Sequence, residues 1–195
     1  MAIGRPREYD PQTVLETAMR LFWAHGYDGV SITDLTDATG INRRSLYAQF
    51  GCKEQLFREA VQHYVTGHGG YAAAALAQPT AREVAHAMVH GTADATTAPD
   101  RPHGCLLVQS ALAVGPDAAG LQADLADMRA AGVQVLAERF AEARAAGEIP
   151  GEDPAALARW IASICQGIAV QAASGATRAE LHAIADRALK AWPVD

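Results

Sequence analysis

The chain lacks most of what would mark an enzyme, a membrane protein or a disulfide-stapled domain. Its three cysteines, Cys52, Cys105 and Cys165, form no CxxC pair, which suits a reducing cytosol. No apolar run approaches the ~20 residues of a membrane span. The first residues carry charge where a secretory signal needs an apolar core. The expectation is a soluble cytoplasmic protein with no membrane partner. No Ser-His-Asp set, phosphate loop or metal cluster has recognisable spacing, so no catalytic residue, cofactor or metal site is assigned. Strand-like alternation and internal repeats are also missing. Nor is there an excess of positive charge: 16 Lys+Arg stand against 22 Asp+Glu, a formal net charge of −6. Residues 1–60 hold 7 Lys+Arg against 8 Asp+Glu, and residues 61–195 hold 9 against 14. A binding surface for an anion would therefore rest on a few placed cations.

What is present is helical punctuation, densest over residues 31–53, SITDLTDATGINRRSLYAQFGCK. Ser31 caps a short helix, with Asp34 three residues on, close to a capping box. Ile32 and Leu35 share its inner face. Gly40 stands where a helix ends in a left-handed residue. Asn42 then caps a second short helix, in which Ile41, Leu46 and Phe50 point inward. Arg43, Arg44 and Tyr47 are left facing outward, with Ser45 beside them. Arginine can donate two hydrogen bonds to a guanine edge or bind phosphate, and a tyrosine hydroxyl commonly donates to phosphate. Two helices, a tight turn and this outward face are how a protein places a helix in the major groove.

Upstream, residues 11–25 form an amphipathic helix with Val14, Ala18, Leu21 and Phe22 at i, i+4, i+7 and i+8. Asp10 caps it, Pro11 occupies its first position and Gly26 closes it, with Tyr27 and Val30 packed beneath. Ahead lies GRPRE, whose Arg5 and Arg7 could reach a minor groove or phosphates.

On Ala18, Leu21, Phe22, Gly26, Tyr27, Ser31-Ile32-Thr33, Leu35, Gly40-Ile41, Leu46-Tyr47, Phe50 and Lys53-Glu54-Gln55-Leu56, the first sixty residues resemble the DNA-binding domain of the tetracycline-repressor (TetR) family. The resemblance implies an all-α homodimer: a helix-turn-helix domain over residues 1–52 and a helical effector-binding and dimerisation domain over 53–195. It implies phosphate contacts from Thr33, Tyr47 and Lys53, and places Arg43, Arg44 and Ser45 toward base edges, with Asn42 at the start of the reading helix. Arg44 departs from the family pattern, where a small residue is usual. Cys52 departs too, where Ser, Asp or Asn is usual.

The rest reads as helices: 53–77, interrupted by Gly67, Gly69 and Gly70; 80–98; a short one in CLLVQSALAV ending at Gly115-Pro116; 117–146; 154–174; and 177–192. The last two carry apolar stripes, Leu157, Ile161, Ile164 and Ile168 on one and Leu181, Ile184, Ala185, Ala188, Leu189 and Trp192 on the other. Two such hairpins would build a four-helix dimer interface, although the stripes could instead pack inside one subunit.

The resemblance puts an effector pocket among residues 60–175, where His63, Tyr64, His86, Met88, His90, Gln109, Met128 and Gln166 are candidate lining residues for a small organic ligand. His86 and His90 are four apart and could share a metal from one helix face, but no carboxylate or cysteine stands beside them in sequence. Cys105 and Cys165 are expected to pack as small apolar residues. Cys52, at a helix N-terminus beside Lys53, is the candidate for a thiol-based redox response.

The function expected is ligand-controlled regulation, in the direction of repression, by a dimer on a pseudo-palindromic double-stranded DNA operator. The alternatives are a helical adaptor without sequence-specific DNA binding and a redox-sensing regulator.

Overall fold

The computed structural model describes residues 9–110, 115 and 118–193. All its regular elements are helices: α1 Pro11–His25, α2 Ile32–Thr39, α3 Arg43–Phe50, α4 Lys53–Thr66, α5 Tyr71–Leu76, α6 Ala81–Thr96, α7 Leu106–Gln109, α8 Ala119–Ala145, α9 Pro154–Ala173 and α10 Arg178–Leu189. Arg5 and Arg7 lie outside the described residues, as do residues 111–114 of the CLLVQSALAV stretch.

The expected caps are made. Asp10 accepts from the backbone N–H of Gln12 and Thr13. Ser31 and Asp34 form a full capping box, and Thr80–Glu83 and Thr177–Glu180 form two more. Residues 53–77 do not form one helix. α4 stops at Thr66, a turn occupies 67–70, and α5 restarts at Tyr71.

Two hydrophobic clusters organise the molecule. The first joins α1 to α4 (Phe22, Trp23, Leu35, Leu46, Phe50, Leu56, Phe57) with Leu106, Leu121 and Leu125. Aromatic edges lock it: Phe57 meets Phe22 at 5.1 Å and Tyr64 meets Trp23 at 4.8 Å, both near perpendicular. This core crosses the expected boundary at residue 52, because the inner face of α4 is part of it. The second cluster joins α6, α8, α9 and α10 through Val84, Val89, Leu136, Phe140, Ile161, Ile168, Leu181 and Trp192. The 27 residues of α8 span about 40 Å and contribute to both.

The apolar stripes on α9 and α10 need correction. Leu157, Ile161, Ile168, Leu181 and Trp192 are buried within the subunit, with Ile164 and Leu189 partly buried against them. They are core, not surface contacts. Of that set Ile184 is exposed and Ala188 half-buried. Among the exposed positions of α9, Ser163, Gly167 and Val170, continued by its C-cap Ser174, form a stripe at helical spacing beside the buried one.

Candidate nucleic-acid interface

The α2–α3 turn is built from Gly40, Ile41 and Asn42. Gly40 closes α2 in the left-handed conformation (φ 72°, ψ 6°), and its N–H donates to Thr36 O. A residue with a Cβ would be strained there by about 1–2 kcal/mol. Asn42 is extended, and its side-chain oxygen accepts from Ser45 N at 2.9 Å, starting α3. Ile41, Leu46 and Phe50 are buried and fix the rotation of α3. The opposite face is then forced outward by the 3.6-residue repeat. Arg43, Arg44 and Tyr47 are exposed and Ser45 is half-buried at the edge. Among the described residues neither guanidinium is held by a carboxylate. Both forks are open to a base edge or phosphate.

Thr33 is exposed on the adjacent flank of α2. Lys53, at the first position of α4, lies with Nζ 4.1 Å from the centre of the Tyr27 ring. Burial eases its proton affinity down, opposed by Asp28 and Asp34. Tyr27 thus aims the ammonium, a role that sequence spacing did not reveal. Cys52 is exposed at the N-cap of α4 and makes no capping hydrogen bond.

Helices α1–α4 are tied to the rest of the chain at several points. The Ser110 hydroxyl donates to Phe22 O at 3.1 Å in a buried contact. Gly115 N donates to Asp28 at 2.6 Å, and Arg58 donates to Asp124 at 2.9 Å. Glu16 accepts from Arg20 at 2.6 Å and meets His63 at 3.0 Å. Burial raises the Glu16 proton affinity, but these two partners outweigh it and hold the carboxyl below its ordinary range.

Behind these ties lies a cavity of about 370 Å³ walled by α5, α6, α8, α9 and the α7 region. Its lining includes Tyr71, Met88, Thr92, Cys105, Leu107, Met128, Leu136, Cys165 and Gln166. The Thr92 hydroxyl donates to Met88 O at 2.7 Å, so the Tyr71 hydroxyl is the donor in its 3.0 Å contact with Thr92. Burial pushes the Cys165 thiol up to about 11, which keeps it protonated and poorly nucleophilic. A larger groove of about 710 Å³ between α1, α4 and α8 is lined by Leu15, Phe57, Val61, Leu121, Leu125 and Met128 together with the charged Arg58, Glu59, Asp124 and Asp127. Met128 lines both spaces.

Of the expected pocket residues, Met88, Met128 and Gln166 line the apolar cavity. The others are elsewhere. Tyr64 is core against Trp23. His63 faces Glu16 at the wall of the larger groove. Gln109 lies on α7, its Oε1 buried without a partner. His86 and His90 face α10: they sit about 200° around α6 from Met88 and Thr92. Carboxylates do stand near them, contrary to the sequence expectation, since folding brings Asp186 within 3.2 Å of His90. Cys105 and Cys165 pack against the two hydrophobic clusters, as expected, and also border the cavity. Tyr71 and Thr92 were missed. Thr92, four residues after Met88, was the available signal.

Residues 14–60 match the family model for bacterial regulatory proteins of the tetR family. Over 193 residues the chain is 33% identical to the HTH-type transcriptional repressor ComR of Escherichia coli (strain K12), covering 97% of this chain and 92% of ComR. The chain belongs to the TetR family. It is a transcriptional regulator of that family. It is also 31% identical over 166 residues to an uncharacterised regulator, YezE of Bacillus subtilis (strain 168), covering 82% of this chain and 84% of YezE. Among solved structures, a cysteine mutant of the TetR regulator CifR in complex with 26-base-pair double-strand operator DNA superposes with a TM-score of 0.93 at 39% identity. That likeness covers 97% of this chain and all of CifR. Within this TetR-family chain, the N-terminal helix-turn-helix is followed by a C-terminal helical domain. Among the described residues no helix is long and apolar enough to cross a membrane.

Proposed function

We propose that this regulator represses transcription by binding a pseudo-palindromic operator as a homodimer, and that a small, largely apolar effector in the 370 Å³ cavity releases it. The carrying observation is the α3 face: a buried Ile41–Leu46–Phe50 side fixes the helix while Arg43, Arg44 and Tyr47 stand free. The likeness to CifR, solved with operator DNA, supports operator binding, and the likeness to ComR, named a repressor, supports the direction of the effect. Thr33, Tyr47 and Lys53 hold phosphates in this reading, Arg43, Arg44 and Ser45 face bases, and Asn42 serves through its cap. Arg5 and Arg7 extend the cationic footprint.

The homodimer would form on the open stripe Ser163, Gly167 and Val170 of α9 and its C-cap Ser174, with Ile184 and Ala188 of α10. Small residues there allow close helix approach, and Val170 and Ile184 are 43% and 42% exposed.

Two segments would carry the effector signal. α5 and α7 both reach the cavity through Tyr71 and Leu107. α5 continues through the 67–70 turn into α4, and α7 leads to Ser110 and its bond to Phe22 O on α1. An effector shifts the dimer away from operator spacing only by its difference in affinity for the two forms, about 1.4 kcal/mol per tenfold change. Fluorescence anisotropy with labelled DNA from immediately upstream of its own gene tests the reading. Saturable binding at low salt, absent with a scrambled duplex, is the expected result. Equal binding to both duplexes, or none, overturns operator recognition in favour of an adaptor role.

A further inference from the structure

α6 and α10 meet through a line of four titratable side chains. Asp94 Oδ1 lies 3.0 Å from His182 Nε2. His182 Nδ1 lies 2.6 Å from His90 Nδ1. His90 Nε2 lies 3.2 Å from Asp186 Oδ1 but is buried and has no aligned hydrogen-bond partner. The two imidazoles are within 22° of coplanar, with centres 4.9 Å apart. With the nitrogens 2.6 Å apart, the rings meet end to end and not face to face.

The line has three gaps, two hydrogen-bonded and the third, His90 to Asp186, close but unaligned, and one proton in each would join all four groups. A neutral imidazole brings one N–H and one bare nitrogen. Two neutral rings therefore supply two protons for three gaps, and one bare nitrogen must face an oxygen or another bare nitrogen. One extra proton completes the chain from carboxylate through imidazolium and imidazole to carboxylate. A second extra proton would set two N–H groups head on at 2.6 Å.

We propose that His90 and His182 form a shared-proton site that fastens α6 to α10, taking up one proton and refusing the second. The seam is then tightest over the pH interval in which the pair holds a single extra proton. It loosens on both sides of that interval. Because α6 carries His90 into the seam and Met88 and Thr92 into the cavity, the proton sets how firmly one cavity wall is held.

The surroundings fit one proton and not two. Burial is the largest influence on His90 and pushes its proton affinity down. His86, stacked at 4.2 Å, and His182 add to this, while Asp186 and Asp94 oppose it. Arg178 lies 3.5 Å from Asp94. Arg82, His86, Asp186 and Lys190 line the adjoining surface hollow. α5 has no charged residue and α9 has only the exposed Arg159. On α8, Arg139 donates to the Gln78 and Pro79 carbonyls. A metal ion fits less well. Two nitrogens each about 2.0–2.1 Å from one tetrahedral ion would sit farther apart than these. Among the described residues no group of three or more His, Cys, Asp or Glu has a metal-site arrangement.

Nitrogen-15 NMR of the histidine rings in the full chain is the test. The expected result is that His90 and His182 titrate as one unit, in two steps separated by more than about one pH unit. In His182→Gln, His90 should show a single step, and Asp186→Asn should move the first step of the pair to lower pH. The wild-type melting temperature should peak between the two steps, and that peak should be absent in His182→Gln. Two independent single steps in the wild type overturn the proposal, whether or not either variant folds. Saturable uptake of one Zn²⁺ per subunit, lost in both His90→Gln and His182→Gln, overturns it in favour of a metal site.

Discussion

Arg43 and Arg44 sit side by side on α3, yet helical spacing turns neighbouring residues about 100° apart, so they need not do the same work. A bidentate guanine contact is worth about 1–3 kcal/mol of discrimination, whereas a phosphate contact weakens all sequences alike and reduces the salt slope. Arg43→Ala and Arg44→Ala are therefore expected to separate. The base reader should lose roughly 5- to 150-fold affinity for the operator and relax preference at one position. The phosphate holder should lose affinity evenly across duplexes. Anisotropy titrations on a panel of operator variants at two salt concentrations measure both. Cys52 is the weak point of the same region, an extended N-cap whose side chain makes no capping bond. Cys52→Ser supplies a hydroxyl acceptor and is expected to stabilise the protein by about 0.5–1 kcal/mol, read as a rise in thermal midpoint. It should leave operator affinity unchanged unless the thiol itself responds to oxidants. In that case the oxidant-induced loss of binding disappears in the variant.

Elements were more legible than contacts. The caps at Asp10, Ser31, Asn42, Asp153 and Thr177 mark helix starts because a side-chain oxygen near a free N–H acts within three residues. The glycines at 67–70 mark the break between α4 and α5 for a similarly local reason. What periodicity cannot tell is which of a helix's apolar faces meets which neighbour. On α6 it offered His86 and His90 as pocket residues, but the cavity takes the opposite face. On α9 the most hydrophobic stripe went to the subunit's own core, because α8 and α6 pack closely against it. The short α7 segment is where element and function join, since Leu107 lines the cavity and Ser110 holds α1. Ser110→Ala removes a buried bond, at a cost of about 1 kcal/mol. Its expected signature is operator binding retained and effector-induced release weakened, measured by anisotropy with and without effector.

At the scale of the whole molecule, a net charge of −6 leaves little room for non-specific attraction to DNA. Affinity should then depend on a few cations and fall steeply with salt. The proposed pseudo-palindromic operator would take two copies to present two such faces, and the exposed stripe on α9 and α10 is the proposed joint. The double variant Val170→Asp, Ile184→Asp is expected to halve the mass seen by light scattering and keep its helical circular dichroism. Ile161→Asp, which charges a buried position, should unfold the body by several kcal/mol. If the double variant stays dimeric, the joint lies elsewhere.

Most of the helices, their caps, the α2–α3 turn and the outward placement of Arg43, Arg44 and Tyr47 are legible in the local pattern of the chain. All of these follow from interactions within one or two helical turns. Long-range packing sets which apolar stripe is core, which residues line the cavity, that Tyr27 aims Lys53, and that His90 and His182 meet nitrogen to nitrogen between two aspartates. Those depend on groups up to 92 residues apart along the chain. Their meeting is set by how whole helices pack, which no local pattern records.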